Sequence, residues 1–250
     1  MDKSQFTINI KAGKVAAILV TLSIVLIALS LTGQSFRFFT LPFELRSSTQ
    51  EFFLDLFIDK FSVNTESNIP TYFNTLILAI ASCLTFVIAS VKRAQKDKYR
   101  YEWLFLGIVF LYMSIDEAAV IHEQFSILLK GMPSMGGLFA YKWVIGGIVV
   151  VLILGVTFLR FFFHLDNRNK ILFFISSAIY LAGALGSEMF SGRYQAAHGT
   201  KNFTYAVMTT SEEFLEWFGI TLMIFTLLKY IEGNFSEIRF LFAGKADIKK

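Results

Sequence analysis

Long apolar runs separated by short charged segments set the pattern of this chain. Six runs are long enough to cross a hydrocarbon core, which takes roughly 20 helical residues: 15–32, 71–91, 102–125, 141–163, 171–190 and 203–231. No soluble domain fits between them. The longest connecting piece, 33–70, mixes aromatics with Arg37, Glu44, Arg46, Glu51, Asp55, Asp59 and Lys60, which predicts a short amphipathic helix or hairpin on the membrane face. The expected fold class is therefore all-α: a six-helix transmembrane bundle forming one integral membrane domain over 1–250, with an outer amphipathic segment between helices 1 and 2. No internal repeat or low-complexity tract interrupts it.

Composition agrees with the pattern. At 250 residues, 55% hydrophobic, with 29 Phe and 3 Pro and a mean hydropathy of +0.58, the chain is more apolar than a soluble domain of this length usually hides. The single Cys83 excludes an intrachain disulfide framework and a Cys-based metal knuckle. The net charge of +4 does not point to nucleic acid, because the basic residues sit in short segments between apolar runs. Their distribution instead sets an orientation. With the N-terminus cytoplasmic, 16 of the 23 Lys and Arg residues fall inside and 7 outside, and the segment KRAQKDKYR at 92–100 is a strong cytoplasmic marker. Both termini are expected in the cytoplasm. Ala28-Leu29-Ser30 loosely resembles a signal-peptidase site after Lys3, Lys11 and Lys14, but the run is long for a signal sequence and reads as an uncleaved anchor.

Against this apolar background the acidic residues stand out. The third helix carries Asp116, Glu117, His122 and Glu123, the fifth Glu188, and the sixth Glu212, Glu213 and Glu216. With a rise of about 1.5 Å per residue, these three helices bring their carboxylates to the outer half of the membrane. At about 100° per residue, Asp116 and Glu123 share nearly one face, and Glu216 lies one turn below both Glu212 and Glu213. Ala178, Ala182 and Gly186 recur every four residues, a small-residue seam that would let the fifth helix approach its neighbour.

An ionised carboxylate in hydrocarbon costs several kcal/mol unless it is paired or protonated. Arg193, Lys142, Lys201, Lys130, His122 and His198 are the outer cations, too few for seven carboxylates. A divalent metal ion relieves the deficit most directly: Asp116, Glu117, His122, Glu123, Glu188, Glu212, Glu213 and Glu216 are its candidate ligands, and Zn, Mn or Fe the candidate ions. Glu213 or Glu216 would then serve as catalytic base. No Glu-x-x-His pair occurs, so a redox di-iron site is poorly matched. The structural alternatives are that Glu117, Glu123 and Glu188 sit at helix ends in the headgroup zone, that Arg193 clamps Glu188, and that Trp103, Trp143 and Trp217 are lipid-facing or interfacial packing.

The segments NIPTYFNTLILAI, SIDEAAVIHE and TSEEFLEWFG resemble those of an uncharacterised group of bacterial polytopic inner-membrane proteins. That resemblance implies a multi-pass protein of the bacterial cytoplasmic membrane and no particular activity. Two functions stand side by side: a membrane-embedded metal-dependent enzyme on a lipid-like substrate, and an ion- or proton-coupled transporter or channel using the same carboxylates. A non-catalytic sensor or subunit is a third. Membrane lipid is the expected partner, no nucleic acid is expected, and a homo-oligomer or a protein partner stays open.

Overall fold

The computed structural model describes residues 9–40, 47–122, 124 and 137–238. Seven helices and no strand occur among them: α1 Ala12–Ser35, α2 Ser48–Phe61, α3 Ile69–Ala94, α4 Arg100–Ala119, α5 Trp143–His164, α6 Asn167–His198 and α7 Phe203–Asn234. α1 continues as a π-helical turn, Phe36–Thr40, and α6 contains a π-helical stretch, Ala182–Ser187. Five helices, α1, α3, α5, α6 and α7, are long and apolar enough to cross a membrane. The sequence expected a sixth at 102–125. The helix there, α4, stops at Ala119 and carries Arg100, Glu102, Asp116 and Glu117, more charge within its length than the long apolar stretches of the other five hold.

Local chemistry sets several helix starts. Ser47 and Gln50 form a reciprocal capping box at α2, and Asn68, Asp166 and Asn202 each accept a backbone N–H at the first turns of α3, α6 and α7. Such caps satisfy donors that a helix cannot satisfy internally. A helix, α2, lies inside 33–70: Ile58 is buried against Gly33 of α1, while Phe52, Phe53 and Leu56 are exposed.

α7 is the hub, packed against α1, α3 and α6. Its Trp217, Ile224 and Leu227 are fully buried. α3 and α4 share an extensive interface, fixed by Ser82 Oγ donating to the Gly107 carbonyl at 2.8 Å and Ser114 Oγ donating to the Thr75 carbonyl at 2.9 Å. Small residues and hydroxyls of this kind bring membrane helices together where apolar burial gives no preference over lipid. α5 is peripheral: Val144 and Phe161 are buried near its ends, but Val149, Val150, Leu152, Ile153 and Val156 are exposed. A bundle sheathed in exposed aliphatic and aromatic side chains is what a lipid solvent demands.

The bundle has two chemically different ends. At one, Lys92 Nζ lies 3.1 Å from Asp97 Oδ2, and Trp103 packs against Phe161, Phe173 and Tyr230. At the other, α4 finishes beside the start of α3, and the acidic residues gather.

Candidate functional site

The site begins where α4 ends. Val120 takes a left-handed conformation, φ 53°, which is costly for a β-branched residue. The turn folds the chain back on the last helical turn. The His122 backbone N–H then donates to Asp116 Oδ1 at 2.8 Å, and the imidazole Nδ1 lies 3.0 Å from Asp116 Oδ2. The imidazole faces the Trp143 indole, with ring centroids 5.3 Å apart. Trp143 Nε1–H in turn donates to Glu188 Oε1 at 2.7 Å. Ser191, three residues beyond Glu188, donates to the Glu188 carbonyl and to Glu212 Oε2, each at 3.3 Å. Asp116, His122, Trp143, Glu188, Ser191 and Glu212 thus form one polar arm joining α4, α5, α6 and α7.

A second group lies deeper along α7. Glu117, Glu213 and Glu216 are half-buried and within electrostatic range of one another; Glu213 and Glu216 also feel Glu212 and Glu188, and the Tyr180 hydroxyl of α6 feels Glu216, Glu117 and Glu213. Asn74 of α3, 1% exposed, has its amide in interaction range of Glu117. Oδ1 of Asn74 makes no hydrogen bond, and the same holds for Thr75 Oγ1, Trp217 Nε1 and Thr221 Oγ1. Buried polar atoms normally have partners.

Glycine places the α7 carboxylates. A Cβ on Gly183 would stand 2.9 Å from both the Glu212 carbonyl and Glu216 Cγ, and one on Gly219 would stand 2.6 Å from the Tyr180 backbone nitrogen. α6 and α7 therefore cross in backbone contact at the level of Glu216 and Tyr180. The expected seam of Ala178, Ala182 and Gly186 is not this contact. Ala178 and Ala182 are exposed, and a Cβ on Gly186 would meet only the Leu181 carbonyl at 4.0 Å. Gly183 lies within the π-helical stretch, which shifts the helical phase for all that follows; π-bulges are frequent at functional sites.

The expected positions fare unevenly. Asp116, Glu117, His122, Glu188, Glu212, Glu213 and Glu216 are brought together, whereas Glu123 lies outside the described residues. Glu188 was expected within a turn of its helix end; α6 instead runs to His198, leaving Glu188 about three turns inside the helix. Arg193 is exposed, and a donor that does meet Glu188 is the Trp143 indole. His198, exposed, stacks on Tyr194 with centroids 4.4 Å apart, beyond the acidic group. Among the described residues no three His, Cys, Asp or Glu side chains are gathered so as to hold a metal ion. Trp103 and Trp217, expected as lipid-facing or interfacial packing, are 1% and 0% exposed. Asn74 and Trp143 were missed as site residues: each is a lone polar or aromatic residue on an apolar helix, and only the packing of other helices reveals its neighbours.

A family model described as a domain of unknown function, DUF8692, matches residues 15–230. The chain belongs to that family. The matched stretch contains both polar groups of this DUF8692 protein, from Asn74 to Glu216. No curated protein and no solved structure matches the chain.

Proposed function

We propose that the chain is a multi-pass membrane protein that takes up and releases protons or small cations at the Glu117, Glu213 and Glu216 group, as an ion- or proton-coupled carrier or channel. One observation carries this reading. The carboxylates are gathered inside an apolar bundle, and among the described residues no Lys or Arg forms an ion pair with Asp116, Glu117, Glu212, Glu213 or Glu216. Adjacent carboxylates in a low-dielectric setting cannot all stay ionised without cations or protons. The bundle thus carries a built-in charge deficit whose size changes with what it binds.

The six-crossing arrangement belongs to the same proposal. α4 has 20 residues, about 30 Å of helix, enough for a hydrocarbon core. The excess of Lys and Arg at the opposite end orients the acidic end outward and both termini toward the cytoplasm, and the sequence resemblance points to a bacterial inner membrane.

Infrared difference spectroscopy of the purified protein between neutral and mildly acidic buffer tests the reading. The expected result is growth of a protonated-carboxyl C=O band that is strongly reduced in the Glu213→Gln/Glu216→Gln variant. An unchanged band in that variant rejects it.

A second reading, a metal-dependent enzyme acting on a lipid-like substrate, is favoured by the Asp116–His122 pair. A carboxylate bonded to one ring nitrogen is the usual means of orienting a metal-ligating imidazole by the other. There Glu213 or Glu216 would act as base beside Zn, Mn or Fe. Elemental analysis of wild-type protein against His122→Ala separates the two readings: equal, negligible metal in both removes this one.

A further inference from the structure

We propose that the segment 137–142 is a strap that closes the acidic end of the α6–α7 pair, pinned by Tyr141, and that water and ions reach Ser191 and Glu212 when the strap lifts. The inference deepens the ion-coupled reading above by naming what controls access to its site.

Apolar burial does little to hold this segment. It leads into α5 through a 3-10 turn, Gly137–Phe139, that packs on the last part of α6. None of the described residues 137–143 is buried; Val144 is the first that is. Stretches with few buried apolar contacts are the parts of a fold that open at least cost. The hold comes instead from one side chain. A Cβ on Gly192 of α6 would stand 2.7 Å from the Tyr141 ring, so the ring lies directly on the helix backbone. The Tyr141 hydroxyl donates to Gln195 Oε1 of α6 and lies 3.2 Å from the Tyr205 hydroxyl of α7.

Its contacts place Tyr141 across the groove that leads to the site. Gln195 lies one helical turn beyond Ser191 on α6, and Tyr205 two turns before Glu212 on the same face of α7. Ser191 donates to Glu212 Oε2 at 3.3 Å, is 2% exposed and adjoins the glycine that the ring covers. The two helices beneath are tied together without the strap. Asn202 accepts the Tyr205 backbone N–H at 2.9 Å and the Tyr194 hydroxyl at 3.1 Å, and donates to the Gly199 carbonyl at 3.0 Å. Release of Tyr141 therefore leaves the α6–α7 turn shut, and the strap is the part that yields. Trp143, bonded to Glu188, and the buried Val144 anchor its α5 end.

The test is cysteine labelling of the full chain in detergent, with the exposed Cys83 replaced by Ser and a water-soluble maleimide as probe. Ser191→Cys reports opening at the site. Ser176→Cys, at a position 0% exposed and in contact with Met223 of α7, reports general loosening of the bundle. Tyr141→Phe and Gln195→Leu each delete one side of the pin. Either is expected to speed labelling at position 191 about fivefold, the equivalent of one neutral hydrogen bond, with labelling at position 176 unchanged. The double variant should label no faster than the single ones, since both remove the same bond. Unchanged or slower labelling at position 191, or an equal rise at position 176, overturns the proposal. If one variant fails to fold the other decides, and failure of both makes the contact a structural tie and overturns the proposal too. Unchanged labelling beside a carboxyl band that responds to pH removes the strap and leaves the ion-coupled reading. Faster labelling beside a wild-type band that ignores pH removes that reading and leaves the strap.

Discussion

The Asp116 carboxylate holds His122 twice, through the backbone N–H at Oδ1 and through the ring Nδ1 at Oδ2. This double contact closes the left-handed turn at Val120 and holds the imidazole ring beside Trp143. Asp116→Ala removes both bonds and leaves the turn without its clamp. A loss of roughly 1.5–3 kcal/mol is expected, as for hydrogen bonds to a charged group, read as a lower apparent melting midpoint in detergent. Asp116→Asn keeps an acceptor for the backbone but loses the charge, so it should fall between wild type and Ala. Equal midpoints for all three proteins would show that the turn is held by something else.

The Gly183–Gly219 crossing predicts a graded response to one methyl group. Gly219→Ala must displace the Tyr180 backbone, and Gly183→Ala the Glu212 carbonyl. Backbone cannot yield as the tip of a flexible side chain does, so each should destabilise by about 1–3 kcal/mol, the range for overpacking. Gly155→Ala on α5, where nothing lies within 4 Å, should be neutral or slightly stabilising because alanine favours helix. Thermal unfolding of the three variants side by side checks the order.

Much of the fold was legible because membrane crossing imposes a crude, strong pattern. The segments expected at 71–91, 141–163 and 203–231 coincide with α3, α5 and α7 to within four residues at each end. Depth was legible only in part: helical rise put Glu212, Glu213 and Glu216 well inside their helix, but it left Glu188 within a turn of its helix end, and α6 runs on to His198. Phase was not legible. The π-helical stretch at Ala182–Ser187 carries no distinctive sequence signal, yet it alters the direction of every later residue on α6, including Glu188. Ala178, Ala182 and Gly186 looked like a seam by spacing, but the contact was made by Gly183, which sits one position away. Trp103 and Trp217 were assigned to the lipid interface by composition; their burial depends on aromatic neighbours from other helices, which no single segment discloses. Asn74 was hidden for the same reason.

Trp143 makes a narrower prediction. Its indole N–H is the donor seen at Glu188 Oε1, at 2.7 Å, while its ring covers His122. Trp143→Phe keeps an aromatic surface and deletes the donor, leaving a partly buried carboxylate oxygen without that bond; a cost of about 1.5–3 kcal/mol is expected. Substituting Trp103, which packs among Phe161, Phe173 and Tyr230 at the far end, should destabilise as much or more without changing the carboxyl infrared band. An altered band in Trp143→Phe but not in a Trp103→Phe protein would place the indole in the proton-binding network and not merely in the packing.

The far end offers a pH test outside the membrane. Asp97 lies in the turn between α3 and α4. Partial burial pushes its carboxyl up, but the Tyr99 backbone N–H at 2.8 Å and Lys92 Nζ at 3.1 Å outweigh that and hold it below the ordinary range. A depressed folded-state value means that the ionised carboxylate stabilises the fold. The contribution is fully present above the unfolded value of about 3.9 and is lost as pH falls through the lower folded value. Asp97→Asn should therefore melt below wild type at neutral pH, and the gap should close as the buffer is taken below about pH 4. Comparing the two proteins at each pH cancels the acid sensitivity of every other carboxylate. A gap that stays constant down to the acid limit would mean that Asp97 acts by shape, as a turn residue, and not by charge.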